Sequence, residues 1–287
     1  MAAKEVYEIM EEMKQHTKTN AYSLEIETGK APGFLDSKFG GIPYWDMDKP
    51  YPTTSQGSPL MLLAQINLEK MFAEIPPDPQ GLLPQTGMLQ FFIQVDSAYN
   101  IYGMDFEHQD IQEGFRVVYH EKIDCQVTPE QVERLQIPVC AGLENTYDSP
   151  LFQEAALKIT RKEVCMGEGD YRFGKLFGKI AKEKFGDRYK GKSLYDCLES
   201  DEYDKVMEEF GNEGHWLLGY PYFTQEDPRE DEGKYKYYDT LLFQMDSDYG
   251  DEDYVLWGDC GVGNFFIHQE DLKKRDFRKV LYNWDCC

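Results

Sequence analysis

The sequence predicts a mainly β (α+β) fold: a roll-like antiparallel body made of two pseudo-repeated halves, with an N-terminal helix and a central helical insertion. Three observations carry this. Aromatic residues reach 14%, with 20 Tyr and 17 Phe, and aromatic side chains suit a pleated, half-buried surface. Strand-length apolar runs bounded by turn residues recur, as in PLMLLAQIN (59–67) and GMLQFFIQV (87–95). Three short strings also return in the same order. Gly41 to Tyr44 has a counterpart in WLLGYPYF (216–223), Leu62–Ile66 in Leu241–Met245, and Gly87–Ile93 in Gly261–Ile267. Either unit alone would leave an apolar face open, so the two are expected to share one core.

In chain order, Val6, Ile9, Met10 and Met13 recur at helical spacing and predict an amphipathic helix ending near Thr17. A helix of that length is not expected to persist alone, so it should pack on the body. Tyr22–Ile26 reads as a strand. The paired glycines Gly40-Gly41 before Pro43 read as a rigid crossing, because glycine permits positive φ and proline locks the backbone just beyond. Pro59–Asn67, Gly87–Val95 and Arg116–His120 read as strands, and Phe72–Pro84 as a proline-rich loop. Pro129–Leu135 reads as a short helix with Thr128 as its cap. From about 149 to 212 helical periodicity dominates, with segments opening at Ser149-Pro150, at Leu176 and at Ser193. The β signature then returns. The domain expectation is one unit over 1–287: a first β half at about 20–148, the insertion at about 149–212, and a second half at about 213–287.

The 287 residues carry 53 Asp and Glu against 30 Lys and Arg, for a formal charge of -23. Such a field repels phosphate backbones, so no nucleic-acid partner is expected; basic proteins are the partners it attracts. The opening MAAKEVYEIMEEMKQH has no uninterrupted apolar core, and no stretch is apolar and long enough to cross a bilayer. With seven scattered cysteines, the expectation is a cytoplasmic protein with reduced thiols and no membrane partner.

No catalytic, cofactor or metal motif stands out. The cysteines form no Cys-x-x-Cys pair, and the histidines form no chelating spacing. The acidic run Asp246–Asp253 fails as an EF-hand loop, since Asp251 stands where glycine is needed and Trp257 where glutamate is needed. A looser cation site at Asp246, Asp248, Asp251 and Asp253 is its functional reading, and a solvated hairpin loop between the strands Leu241–Met245 and Tyr254–Trp257 its bland one. The basic stretch Arg172–Lys192 is expected to pair with the chain's own carboxylates.

Ser37-Lys38-Phe39-Gly40-Gly41-Ile42-Pro43, Pro59–Asn67 and Leu83–Phe92 together resemble the YwqG-like family of bacterial proteins. So do Leu217–Pro221, Leu242–Asp248, Trp257–Gly261 and Asn264–Ile267. The resemblance runs from about residue 30 to 280. It implies a mainly β, roll-like single domain with peripheral helices, and it brings no catalytic residues. The first-half pieces Gly-Gly-x-Pro-x-Trp and the apolar strand ending in Gln also resemble the programmed-cell-death-two family, which chaperones a ribosomal protein; that family's cysteine pairs are absent here.

The leading functional expectation is a non-enzymatic binder of a basic protein, chaperone-like or immunity-like, without a cofactor. Its candidate surface is the acidic group Glu226, Asp227, Glu230, Asp231 and Glu232. The alternative is an enzyme or small-molecule binder whose site lies at the junction of the halves, built from Asp46, Asp48, Asp246 or Asp259 with Tyr and Trp.

Overall fold

In the computed structural model residues 2–95, 101–143, 148–229, 233–248 and 254–287 are described. The helical stripe Val6, Ile9, Met10 and Met13 is fully buried on α1 (Ala2–Thr17). It packs against α4 (Phe173–Phe185) and α5 (Ser200–Phe210), whose Phe177, Ile180, Val206 and Phe210 complete a helical core separate from the sheet. Lys184 pairs with Glu12 at 2.6 Å, and Arg188 with Glu5. The expectation that the basic stretch pairs with the chain's own carboxylates holds for Arg172, Lys184 and Arg188 only; Lys175, Lys179, Lys182, Lys190 and Lys192 are exposed and make no ion pair among the described residues.

Ten strands form the body. In chain order they are β1 (Thr19–Ile26), β2 (Lys38–Phe39), β3 (Met61–Asn67), β4 (Met88–Ile93) and β5 (Phe115–His120), then β6 (Ala155–Val164), β7 (Trp216–Leu217), β8 (Thr240–Asp246), β9 (Val262–Ile267) and β10 (Leu281–Asp285). Three short helices sit between them: α2 (Leu68–Glu74), α3 (Pro129–Glu133) and α6 (Gln269–Lys273). The spatial order is β10-β9-β8-β7-β1-β6-β2-β3-β4-β5. Taken inward from either end, this order gives matched pairs: β10 with β5, β9 with β4, β8 with β3, β7 with β2, and β1 with β6 at the centre. The antiparallel pairing of β1 with β6, Thr19↔Val164 through Ile26↔Leu157, is the seam. The opening strand of each half crosses over: β1 pairs with β7, and β6 with β2.

The repetition extends to single residues. β3 and β4 shift register between Leu62 and Ala64; β8 and β9 shift between Leu241 and Phe243. Past the shift, Gln65 is buried on β3 and Gln244 on β8. The Gln65 Oε1 accepts the Tyr44 N–H at 2.8 Å, while its Nε2 donates to the carbonyls of Phe34 and Asp36, both at 3.0 Å. The Gln244 Oε1 accepts the Tyr222 N–H at 2.8 Å, and its Nε2 donates to the carbonyls of Asn212 and Gly214, both at 2.8 Å. Each glutamine clamps the segment that enters a two-residue strand to the segment that leaves it. Between those segments the chain reverses through two residues of positive φ: Gly40 (61°) and Gly41 (71°), then Leu218 (62°) and Gly219 (91°). Leucine in that region carries a backbone strain of about 1 kcal/mol.

The sheet curls so that its inner faces meet in a nearly closed, barrel-like body. Phe91 of β4 packs on Phe243 of β8 with ring centroids 4.4 Å apart, and Phe115 of β5 on Tyr282 of β10 at 5.2 Å. The two edge strands are covered by one segment: the Gln109 carbonyl accepts the Tyr282 N–H at 3.0 Å, and the Gln112 Oε1 accepts the Val117 N–H at 2.9 Å.

The expected mainly antiparallel β body with an N-terminal helix holds. Three local expectations do not. The stretch opening at Ser149-Pro150 is not helical: it leads into β6, a ten-residue strand. Only Ala155–Leu157 at its start are buried and the rest carries exposed charges, so no apolar alternation marks it. The central helices therefore lie between β6 and β7, inside the second half. Leu68–Glu74 is a helix capped by the Asn67 side chain, which accepts the Lys70 N–H at 3.0 Å. β10 and α6 carry no strong apolar signal ahead of them, because 269–280 is strongly charged. Tyr254–Trp257 contributes only isolated bridges, Leu151↔Val255 and Trp257↔Gly261.

Two measurements test this frame. Gln244→Leu leaves one N–H and two carbonyls without their partner, and Gln65→Leu also takes an acceptor from the Gln90 Nε2; each should cost about 3 kcal/mol or more in urea unfolding. A loss below about 1 kcal/mol would show the clamp to be dispensable. A fragment ending near residue 148 lacks both β6 and β7, the partners of β1, and should show no cooperative thermal transition by circular dichroism.

Candidate functional site

The largest cleft described, about 1080 Å³, opens between the helical layer and the second half of the sheet. Its walls come from four places. α5 supplies Tyr203, Asp204 and Glu208; the approach to β7 supplies Glu213 and Gly214; the exit from β7 supplies Tyr222 and Thr224; the end of β8 supplies Asp246 and Ser247. Glu168 closes one side and accepts the Tyr203 hydroxyl at 2.8 Å. Among the described residues five carboxylates line this cleft and no Lys or Arg does.

Asp246 is the buried member, 9% exposed. Its Oδ2 accepts the Gly214 N–H at 2.7 Å and its Oδ1 the Ser247 N–H at 2.8 Å. Burial pushes its carboxyl up to about 6; the two N–H groups pull it down, and the negative charges of Glu213 and Asp285 push it up. The Asp246 N–H donates to Nδ1 of His215, whose pKa burial lowers to about 4, so the ring is neutral at pH 7. Burial likewise raises the Tyr222 hydroxyl to about 12. Cys260 and Cys287 line the same cleft, where a hydrogen bond between the two thiols leads the causes that push Cys287 up.

A second cavity, about 670 Å³, adjoins the first and shares Glu168, Gly169 and Gln225 with it. Beneath it lies a buried ion network. Arg229, 0% exposed, grips Asp227 with Nε to Oδ1 at 2.9 Å and Nη2 to Oδ2 at 2.6 Å, and reaches Asp170 at 3.5 Å. Arg172 grips Asp170 the same way, at 2.7 and 2.6 Å. The Arg229 guanidinium also lies 4.0 Å from the centroid of Phe266. Burial raises the Asp170 carboxyl, but hydrogen bonding and charge from Arg172, with the charge of Arg229, outweigh it and hold it below the usual carboxylate range.

Asp227 is therefore not part of an exposed acidic face: it is buried and bound to Arg229. Glu226 is exposed. Glu230, Asp231 and Glu232 lie outside the described residues, as do Asp251 and Asp253. Of the acidic run, Asp246 and Ser247 are buried rather than solvated, because the strand end they occupy is covered by Gly214, His215 and Gly261; Asp248 is half-buried. Asp46 pairs with Lys49 at 3.2 Å, Asp48 is exposed, and neither lines the cleft that holds Asp246. Asp259 is exposed beside Cys260.

Reading the sequence missed the Asp-x-Arg signal. Asp170-Tyr171-Arg172, Asp227-Pro228-Arg229 and Asp276-Phe277-Arg278 each fold so that the arginine N–H and Nε both donate to Oδ1 of the aspartate two residues earlier. It also missed Lys38, buried in the first half, whose Nζ donates to the Ile42 carbonyl at 2.7 Å and whose pKa burial lowers. Among the described residues no group of three or more His, Cys, Asp or Glu is placed to hold a metal ion, and no helix is long and apolar enough to cross a membrane.

A family model described as "Domain of unknown function (DUF1963)" matches residues 37–286. No curated protein matches the chain.

Arg229→Met should destabilise the fold by about 3–5 kcal/mol, because it leaves Asp227 buried without its guanidinium and Asp170 with Arg172 alone. The deficit should shrink as pH falls and the stranded Asp227 takes up a proton. Urea unfolding at pH 7.5 and pH 5 checks both; an equal deficit at the two pH values would count against a charge-based cause.

Proposed function

Because the chain belongs to the family of the domain of unknown function DUF1963, within which the resemblance to YwqG-like proteins fits, we propose its function from the cleft itself: it binds a cationic segment of a partner protein. One observation carries the reading. Glu168, Asp204, Glu208, Glu213 and Asp246 line one cleft with no Lys or Arg among its described lining residues. Ionised carboxylates held together without cations repel one another, and the raised carboxyl of Asp246 registers that cost alongside its burial. A bound cation relieves it. Tyr203 and Tyr222 in the same walls offer aromatic faces to a guanidinium or ammonium. The chain's charge of -23 speeds the encounter with a basic partner.

The same carboxylate and aromatic walls also support a small cationic molecule as the ligand. A basic peptide and free arginine separate the two: a protein partner requires the peptide to bind far more tightly.

A fluorescently labelled (Lys-Arg)₃ peptide with an amidated C-terminus is the probe. Its affinity should fall with salt, and Glu208→Gln with Glu213→Gln should weaken it about tenfold at low ionic strength. Between pH 7.5 and pH 5 Asp246 takes up a proton and the cleft loses a negative charge, so affinity should drop by about fivefold with an inflection near pH 6. In Asp246→Asn the inflection should be absent. Binding that is indifferent to salt and to these carboxylates would overturn the proposal.

A further inference from the structure

The two adjoining cavities differ in charge, and the difference says more about the ligand. In the smaller one the floor is neutral: Asp170 and Asp227 are matched by Arg172 and Arg229. Its rim holds Lys175, Lys192 and Lys236. Among the described residues these three lysines make no ion pair. Against them stand Glu226, which is exposed, and Glu168, which faces the shared wall and accepts from Tyr203. Four cations, Arg172 and these lysines, line this cavity with four carboxylates, whereas the adjoining cleft has five carboxylates and no Lys or Arg among its described lining residues.

The start of α4 lines the same cavity. The Phe173 N–H is taken by the Asp170 carbonyl at 2.8 Å and the Leu176 N–H by the Arg172 carbonyl at 3.2 Å, while the N–H groups of Gly174 and Lys175 have no acceptor among the described residues. Such donors face an anion favourably. Gly174 has nothing within 4 Å of where a Cβ would stand, so the approach is open.

The acidic cleft begins where this cavity ends, at Glu168, Gly169 and Gln225. A ligand lying along both meets carboxylates over most of its length and lysines at one end. We infer that the cationic segment is a C-terminal tail, its basic side chains in the acidic cleft and its terminal carboxylate among Lys175, Lys192, Lys236 and the first turn of α4. This inference rests on the cleft as the basic-segment site.

The charges make the test sharp. In an acidic cleft alone, a free C-terminal carboxylate adds repulsion, and an amidated peptide binds at least as well as the free acid. A lysine-lined end reverses that order. The (Lys-Arg)₃ peptide with a free carboxyl should bind about fivefold more tightly than its amide. In the Lys175→Gln, Lys192→Gln, Lys236→Gln protein the preference should vanish or invert; these exposed positions make no ion pair among the described residues, and a thermal melt confirms the fold. An amide that matches or outbinds the free acid in the unsubstituted protein overturns the inference and leaves the acidic cleft standing. A preference that survives the triple substitution also overturns it. Failure of both peptides to bind removes the cleft reading as well.

Discussion

Two buried glutamines fix the geometry on which everything else is built. A glutamine amide in a dry core must satisfy one acceptor and two donors, and leaving them unmade costs more than the bonds return when formed. Gln65 and Gln244 meet that demand on backbone groups from both sides of a chain reversal. Each thereby ties a strand end to the crossing that precedes it. That crossing is what feeds a two-residue strand into the sheet, and it sets the pairing of β7 with β8 and of β2 with β3. With the opening strands exchanged across the seam, neither half can close its own sheet, and the shared core results.

On this repeated frame the halves diverge where chemistry is wanted. Asn67 and Asp246 hold corresponding strand ends. Asn67 receives the Ser37 hydroxyl as acceptor for its N–H and caps α2, staying neutral. Asp246 receives His215 in the same place and carries a titratable carboxyl into a cleft. Trp45 and Phe223 also correspond. Trp45 is packed with Leu60, Leu62, Phe92 and Val132, which fill the outer face of the first half. In the second half the helices inserted between β6 and β7 stand off from the sheet and leave the cleft between. The same frame that needs only an amide at one end tolerates a charged group at the other, where a ligand can compensate it.

The charge of the molecule is organised at short range. Asp-x-Arg chelates hold the buried Arg229 and the half-exposed Arg172 against two buried aspartates with no net charge left over. Lys184 and Arg188 tie α4 to α1 through Glu12 and Glu5. The two cavities differ in lining: five carboxylates in the larger, and in the smaller three lysines that make no ion pair among the described residues.

The sequence by itself determined the class of fold and its repetition. The apolar runs PLMLLAQIN and GMLQFFIQV and their second-half counterparts fall on β3, β4, β8 and β9, because a strand buried on both faces writes its burial into consecutive residues. The stripe of α1 was legible for the equivalent reason at helical spacing. β6 was not, since beyond Leu157 its side chains meet water and other strands' charges, so its place is fixed by pairing with β1 and β2 and not by its own pattern. The same holds for the site. Glu168, Asp204, Glu208, Glu213 and Asp246 come from four separated stretches and look like any solvated carboxylates in the sequence. Asp227 looked exposed and is buried. Whether a carboxylate is paired, solvated or gathered into a cleft depends on which distant groups the fold brings within a few ångströms of it, and only the tertiary structure decides that.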